Sequence, residues 1–120
     1  MEKLFDSELK VMDPLWDDGP QTAGALAKRL AQDCGWNRNT TYTVIKKLID
    51  KGALSRTDPG FLCTPLISRA QVQRQETEQL IGRLFGGSRA QFLSAFLSEQ
   101  DLSPAQAQQL RELIEQLEKG

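Results

Sequence analysis

The segment WNRNTTYTVIKKLIDKGAL, residues 36–54, constrains the fold more than any other part of the chain. Asn37 is a residue type that caps helices, and Gly52 is the type that ends them in a left-handed conformation. Between them, apolar residues recur at spacings of three and four, which predicts an amphipathic helix. Its core side is predicted to comprise Thr41, Val44, Ile45, Leu48 and Ile49. The opposite side carries Asn, Thr, Tyr and Lys rather than the Glu and Lys mixture of an ordinary solvated helix.

Two amphipathic helices are predicted before this segment. The first starts near Asp6 or Ser7, which can cap free N–H groups, and continues through Pro14 with a kink. The second is capped by Thr22 and closes at Cys34-Gly35. The buried stripes of these two helices are predicted to be Leu9, Met12, Leu15 and Trp16, and Ala23, Leu26, Ala27 and Leu30.

A β-hairpin is predicted directly after the third helix. Asp58-Pro59-Gly60 has proline second and glycine third, which favours a type II turn. Leu54–Thr57 and Phe61–Thr64 flank it as short strands, and Pro65 is predicted to end the second strand. Three helices followed by a hairpin is the order of a winged helix-turn-helix domain. The predicted fold is therefore mainly α, with such a domain over residues 1–66 and a β-hairpin wing.

Residues 67–120 are predicted to form a helical dimerisation region. Three Ser-x-x-Gln segments resemble capping boxes, and they predict helices over about residues 68–85, 88–97 and 103–118. The apolar stripes of these helices are narrow and would form a marginal core alone, but a good one if a second copy interleaved. The alternative is a folded-back appendage in a monomer. The predicted dimer-interface residues are Val72, Leu80, Ile81, Leu84, Phe85, Phe92, Leu93, Phe96, Leu97, Leu110, Leu113, Ile114 and Leu117.

The outer face of the third helix suits the major groove of DNA. In a helix-turn-helix, the second helix of the pair lies in that groove and its first turns meet base edges. The amide and hydroxyl side chains there can pair with bases, whereas the basic side chains suit phosphates. The predicted base-reading residues are Asn39, Thr40, Tyr42 and Thr43. The predicted phosphate ligands are Arg38, Lys46, Lys47 and Arg56, and Arg56 is the only basic residue of the wing.

Composition narrows the remaining function classes. The chain has no histidine and no Gly-rich phosphate loop, so no catalytic residues, metal ligands or cofactor are predicted. Two cysteines are too few for a disulfide scaffold, and no apolar run is long enough to insert in a membrane, so a cytoplasmic protein is expected. The net charge is −1, but residues 28–56 hold seven basic and two acidic residues, which permits one basic surface.

Three segments carry a resemblance to a known family: SELKVMDPLW, the segment over residues 36–54, and FGGSRAQFLSAFLSEQDLSPAQAQQLRELIEQL. With these, nearly the whole chain resembles the penicillinase-repressor (BlaI/MecI/CopY) family of bacterial regulators. The resemblance implies a homodimeric winged-helix repressor whose carboxy-terminal helices interlock, bound to a pseudo-palindromic double-stranded operator commonly built on TACA and TGTA. By position, the four predicted base-reading residues match the reading positions of that family.

The chain also departs from the family pattern. Asn37-Arg38-Asn39-Thr40 stands where many members carry Ser-Pro-Lys-Thr, and Tyr42 stands where a charged or amide residue is usual. The cysteine-rich tail of the copper-responsive branch is missing, which argues against metal sensing by that route. Resistance-linked members are cleaved by a regulatory protease at an Asn-Phe bond, and the matching bond here is Ala95–Phe96. Relief of repression by proteolysis is thus implied by the resemblance alone.

Two other functions remain open at the level of sequence. One is a ligand- or redox-responsive winged-helix regulator, with a small molecule between the lobes or with Cys34 and Cys63 as the switch. The other is a winged-helix protein that binds proteins instead of DNA. The basic region around the third helix disfavours the second of these.

Overall fold

The computed structural model describes residues 2–97 and 102–119, the side chains of 114 and 117–119 excepted. Its elements follow one another as α1 (Asp6–Asp18), β1 (Gln21–Thr22), α2 (Ala23–Cys34), α3 (Arg38–Asp50), β2 (Leu54–Thr57), β3 (Leu62–Pro65), α4 (Arg69–Phe85), α5 (Arg89–Phe96) and α6 (Pro104–Lys119). The chain divides into two compact units, Met1–Gln73 and Arg74–Gly120. The sequence predicts a boundary between two domains at residues 66 and 67, and this boundary stays a prediction.

Local capping explains where α2 and α3 begin, as the sequence predicts. Thr22 Oγ1 accepts the N–H of Ala25 at 3.2 Å, and Asn37 Oδ1 accepts the N–H of Thr40 at 2.8 Å. Gly52 follows α3 with a φ of 78°, the left-handed conformation that only glycine adopts without steric cost. The predicted stripe of α2 is buried, and so is that of α3 except for the half-buried Ile49.

Helix α1 starts where the sequence predicts, but its capping residue differs. The cap position is Phe5, which has no side-chain acceptor, and the helix begins at Asp6. The acceptor comes from Glu8, whose Oε1 takes the N–H of Phe5 at 2.8 Å. Asp6 and Ser7 therefore do not cap the helix as predicted, and the side-chain bond at its start comes from Glu8, three residues after Phe5. The helix runs through Pro14 to Asp18, as predicted.

The three strands form one antiparallel sheet in the order β1-β3-β2. Strand β1 was not predicted because two residues are too short for an alternating pattern. The predicted second hairpin strand is shifted by one residue: Phe61 has a φ of 53° and belongs to the turn, and Pro65 pairs with Leu54 at the strand end. Gly60 has a φ of 94°, which agrees with the third position of a type II turn, and the Asp58–Pro59 peptide is cis.

The core of the first unit is one cluster contributed by α1, α2, α3, the hairpin and the start of α4. It includes Val11, Met12, Leu15, Leu26, Leu30, Ile45, Leu48, Leu54 and Cys63, all of them buried. Val72 belongs to this cluster as well, with 5% of its surface exposed. It therefore has little surface left for the dimer interface in which the sequence places it.

Reciprocal Ser and Gln bonds start two of the last three helices. Ser68 and Gln71 exchange bonds of 2.7 and 3.0 Å before α4, and Ser103 and Gln106 exchange bonds of 3.1 and 3.2 Å before α6. At α5, Ser88 Oγ accepts from Gln91, whereas the N–H of Ser88 donates to Phe85 O at 3.0 Å. The capping-box prediction is thus confirmed in full at α4 and α6, and for the serine side chain at α5.

A buried ion pair joins the start of α1 to the end of α3. Lys51 Nζ lies 2.6 Å from Glu8 Oε1, with the two side chains 13% and 2% exposed. The ammonium also donates to Lys3 O at 2.8 Å and lies 4.5 Å from the centroid of the Phe5 ring. Glu8 thus anchors Phe5 and Lys51 together, and it sets where α3 ends relative to α1.

We expect Lys51→Met to lower the free energy of unfolding by about 3 kcal/mol, because it leaves the Glu8 carboxylate buried without a counter-charge. The double variant Glu8→Gln with Lys51→Met should recover part of that loss. Urea denaturation monitored by circular dichroism measures both.

Asp33→Ala is the matched control, because Asp33 forms an exposed pair with Arg29 at 3.6 Å. Removing such a pair should change stability by less than about 0.5 kcal/mol. Equal losses for Lys51→Met and Asp33→Ala would contradict a structural role for the buried pair.

Candidate nucleic-acid interface

Helix α3 divides its residues sharply between the core and the surface. Thr41, Val44, Ile45 and Leu48 are buried against the rest of the first unit. Asn39, Thr40, Thr43, Lys46 and Lys47 are all exposed. The structure therefore brings three of the four predicted base-reading residues and two of the predicted phosphate ligands onto one open face.

The cap of α3 shapes that face at its amino-terminal end. Asn37 Oδ1 accepts the Thr40 hydroxyl at 3.0 Å in addition to the Thr40 N–H. The hydroxyl hydrogen of Thr40 is therefore engaged within the protein, which leaves the oxygen lone pairs and the methyl group for a ligand. Asn39 and Thr43 present an amide and a second hydroxyl beside it, so hydrogen-bond donors and acceptors are grouped over the first two turns.

Tyr42 differs from its neighbours because it is half-buried. Its ring meets the ring of Phe61 edge to face, with the centroids 5.7 Å apart. Its hydroxyl accepts a hydrogen bond of 3.0 Å from Arg38. The structure thus places Tyr42 against the turn of the hairpin and not in the open row formed by Asn39 and Thr43.

Arg56, the basic residue of the wing, lies on the same aromatic group. Its guanidinium carbon is 3.8 Å from the centroid of the Phe61 ring, and its Nε donates to Asp58 Oδ1 at 3.2 Å. Phe61 was missed by the sequence-based reasoning, which assigned it to a strand. The sequence did contain a signal for it. Phe61 is a large aromatic residue directly after a turn glycine, a position that belongs to the turn and not to the strand.

Two other basic residues of the positive block, which is the segment over residues 28–56, are paired with carboxylates. Arg29 forms ion pairs with Asp18 and Asp33, and Lys51 is paired with Glu8. Outside the block, Arg69 bridges Asp13 and Asp17 of α1 at 3.4 and 2.8 Å. These pairs neutralise Arg29 and Lys51, and the exposed pair with Asp58 neutralises Arg56 in part, so the positive charge of the block comes mainly from Lys28, Arg38, Lys46 and Lys47.

The two cysteines lie in different surroundings, and both are free thiols. Cys63 is fully buried in the core, and its burial raises the pKa of the thiol above the ordinary value. A thiol that is buried and protonated reacts slowly, because the thiolate is the nucleophile. Cys34 is exposed at the edge of a cavity of about 210 Å³ between α1 and α2, whose other walls are mainly charged. Neither environment favours a redox pair.

The second unit exposes apolar side chains that the sequence assigned to a dimer interface. Leu84, Phe96 and Leu113 are 63%, 73% and 48% exposed. The half-buried members are Leu80, Phe85, Phe92, Leu93 and Leu97, and those already buried are Ile81 and Leu110. The rings of Phe85, Phe92 and Phe96 form a chain with centroids 5.6 and 5.8 Å apart. The side chains of Ile114 and Leu117 lie outside the described part of the structure.

The fold of the first unit defines the class of protein. Three helices, with a short strand before the second and a β-hairpin after the third, form a winged helix-turn-helix in which α2 and α3 are the helix-turn-helix pair. No helix among residues 2–97 and 102–119 is both long and apolar enough to cross a membrane.

Comparison with known proteins identifies the family. The profile of the penicillinase repressor family matches residues 4–116, and the chain belongs to that family. It is 26% identical over 116 residues to the penicillinase repressor of Bacillus licheniformis, covering 95% of this chain and 91% of the relative. It is 20% identical over 114 residues to the methicillin resistance regulatory protein MecI of Staphylococcus aureus, covering 93% of each.

A solved structure resembles the first unit as well. The solution structure of the DNA-binding domain of the repressor BlaI superposes with a TM-score of 0.53 at 32% sequence identity. The match covers 58% of this chain and 92% of that domain. The likeness is therefore to a winged-helix DNA-binding domain, and it covers only part of this chain.

Proposed function

We propose that this protein is a sequence-specific DNA-binding transcriptional repressor that acts as a homodimer on a pseudo-palindromic operator. The observation that carries the proposal is the open polar face of α3, whose buried side fixes it in a winged helix-turn-helix. The likeness to a domain named as the DNA-binding domain of a repressor supports the same function. The buried Cys63 and the charged cavity beside Cys34 offer less support for the redox- or ligand-responsive alternative.

The proposed roles follow from exposure and chemistry. Asn39 has the paired donor and acceptor that suit adenine, while Thr40 and Thr43 offer methyl groups and hydroxyl oxygens to a base edge. Arg38, Lys46, Lys47 and Arg56 are proposed to bind phosphates, which position the domain without reading sequence. We leave Tyr42 out of the reading set, because its ring packs on the hairpin.

We expect Asn39→Ala and Lys46→Ala to weaken DNA binding in different ways. Asn39→Ala should cost about 1–3 kcal/mol and relax preference at one base pair of an operator selected from random double-stranded DNA. Lys46→Ala should weaken all sequences alike and reduce the slope of log K against log salt by about one. Fluorescence anisotropy over a series of salt concentrations measures both effects.

The control for Lys46→Ala is Arg74→Ala, which removes the same charge from an exposed side chain of α4 that pairs with Glu78. It should leave the salt slope unchanged. If Asn39→Ala and Lys46→Ala both bind the selected operator as the wild type does, α3 is not the reading helix.

The homodimer is proposed to form through the second unit. Three large apolar side chains, Leu84, Phe96 and Leu113, are about half or more exposed there, and the aromatic chain continues from Phe96 into the unit. Exposed apolar surface of this kind marks contact sites, because leaving it in water costs about 25 cal/mol per Å². Two linked heads would bind half-sites about 34 Å, or a multiple of that distance, apart.

We expect Phe96→Ala to weaken the dimer by about 3 kcal/mol while leaving the chain folded, because Phe96 is 73% exposed in the single chain. Operator affinity should fall with it, because the second half-site is bound effectively only when it is linked to the first. Sedimentation equilibrium measures the dimer constant, and circular dichroism reports the fold.

Gln91→Ala, an exposed polar change on the same helix, should alter neither quantity. A dimer constant that is equal for wild type and Phe96→Ala would place the interface elsewhere.

We further propose, from the family resemblance, that repression ends by proteolysis at Ala95–Phe96. Both residues are exposed in the single chain, at the last turn of α5. In a dimer the bond would lie beside the proposed interface, so cleavage would remove α6 and weaken the dimer without changing the reading head. Intact-mass analysis after induction in the native host should show a fragment ending at Ala95. Full-length protein released from its operator without that fragment would contradict this route.

A further inference from the structure

Four side chains form a continuous row between α3 and the hairpin, here called the arginine–aromatic row: Arg38, Tyr42, Phe61 and Arg56. The Arg38 guanidinium carbon lies 5.0 Å from the Tyr42 ring centroid, and the same guanidinium donates to the Tyr42 hydroxyl. Tyr42 meets Phe61 edge to face, and Arg56 lies over Phe61. The row therefore has an aromatic pair at its centre and a cation at each end.

The centre of the row is anchored to the framework of the first unit. Tyr42 follows the buried Thr41 on α3, so its backbone is held by the core. The carbonyl oxygen of Phe61 accepts the N–H of Ala23 at 3.0 Å, which ties the hairpin turn to the start of α2. The edge-to-face contact thus links two elements that are each fixed by other bonds.

The ends of the row are held less tightly. The ion pair of Arg56 with Asp58 is solvent-exposed, with side chains 49% and 62% exposed, and pairs of this kind contribute little. Arg38 is also exposed. Contact with an aromatic face restricts a guanidinium to a few orientations without consuming its charge, so less conformational entropy is lost when it binds an anion.

We propose that Tyr42 is a positioning residue, whose ring joins the recognition helix to the hairpin and so holds Arg38 and Arg56 together as phosphate ligands. Tyr42 itself does not read a base. This inference rests on the proposed function, because the phosphates are those of the DNA backbone. The sequence predicted that Tyr42 reads a base. The proposal instead assigns Tyr42 to the coupling of α3 and the hairpin.

The inference is tested with paired variants at each side of the contact. Tyr42→Phe keeps the ring and loses the hydroxyl, whereas Tyr42→Leu loses both. Phe61→Tyr and Phe61→Leu repeat the comparison from the hairpin, in case one position tolerates change poorly. Arg56→Ala is measured in the wild-type and Tyr42→Leu backgrounds. The readouts are operator affinity against salt, affinity for operators with single base changes, and amide hydrogen exchange of residues 54–65 without DNA.

We expect both leucine variants to lose about three- to tenfold in affinity, the range of an aromatic pair, and to show faster exchange in the hairpin. Tyr42→Phe and Phe61→Tyr should stay within about threefold of the wild type with unchanged exchange. Arg56→Ala should reduce the salt slope by about one in the wild type and by much less in Tyr42→Leu. The ranking of operators with base changes should be the same for all these variants.

Other outcomes overturn the inference. If Tyr42→Leu alters preference at one base pair and Arg56→Ala has the same effect in both backgrounds, Tyr42 reads a base. If hairpin exchange is unchanged in both leucine variants, the contact does not couple the two elements. If the wild-type protein binds no DNA, the proposed function is contradicted instead. Hydrogen exchange in the free protein then still decides whether the contact between Tyr42 and Phe61 couples α3 to the hairpin.

Discussion

The buried carboxylate of Glu8 is the interaction on which the geometry of the first unit depends. It takes the N–H of Phe5 at the start of α1 and the ammonium of Lys51 at the end of α3. A buried charge is tolerated only when its partners are held in place, so burial of Glu8 requires both helix ends to stay where they are. Hydrophobic contacts have little directional preference of their own, whereas the ion pair joins two particular helix ends. The ion pair therefore contributes to the position of α3 more than to net stability.

Helix α3 satisfies two sets of constraints with one sequence. Its buried side must pack into the core, which restricts those positions to Thr41 and aliphatic residues. Its exposed side is free of that restriction, and there Asn39, Thr40 and Thr43 stand with lysines behind them. Threonine and asparagine are poor choices for helix stability, because they lose side-chain freedom or compete for backbone bonds. Their presence on an exposed face, where good helix formers would cost nothing, agrees with the proposed role of that face in DNA contact.

The parts of the fold that local signals determine could be predicted from the sequence. Caps at Thr22 and Asn37, the glycine after α3 and the serine boxes of α4 and α6 each involve residues within a few positions, and all were located correctly. Apart from the local cap of α1, the features that the sequence did not predict involve contacts between distant residues. Strand β1 exists because Gln21 and Thr22 pair with Cys63 and Leu62, and the contact between Tyr42 and Phe61 joins residues that lie far apart in the sequence. Periodicity marks Val72 as apolar and helical, but it cannot show which core Val72 enters.

Under the proposed function, the two units would divide the work of recognition, and DNA binding would depend on assembly of the dimer. The reading face of one head offers three short polar side chains and a few cations, and single bidentate base contacts contribute about 1–3 kcal/mol each. We expect such a domain alone to bind weakly at physiological salt, because the phosphate contribution falls steeply with ion concentration. Joining two heads converts the second contact into an intramolecular step and can multiply affinity by about 10²–10⁴ without any new base contact. Any event that removes the exposed apolar surface around Phe96 from the second unit would then release DNA while α3, the hairpin and the arginine–aromatic row remain intact.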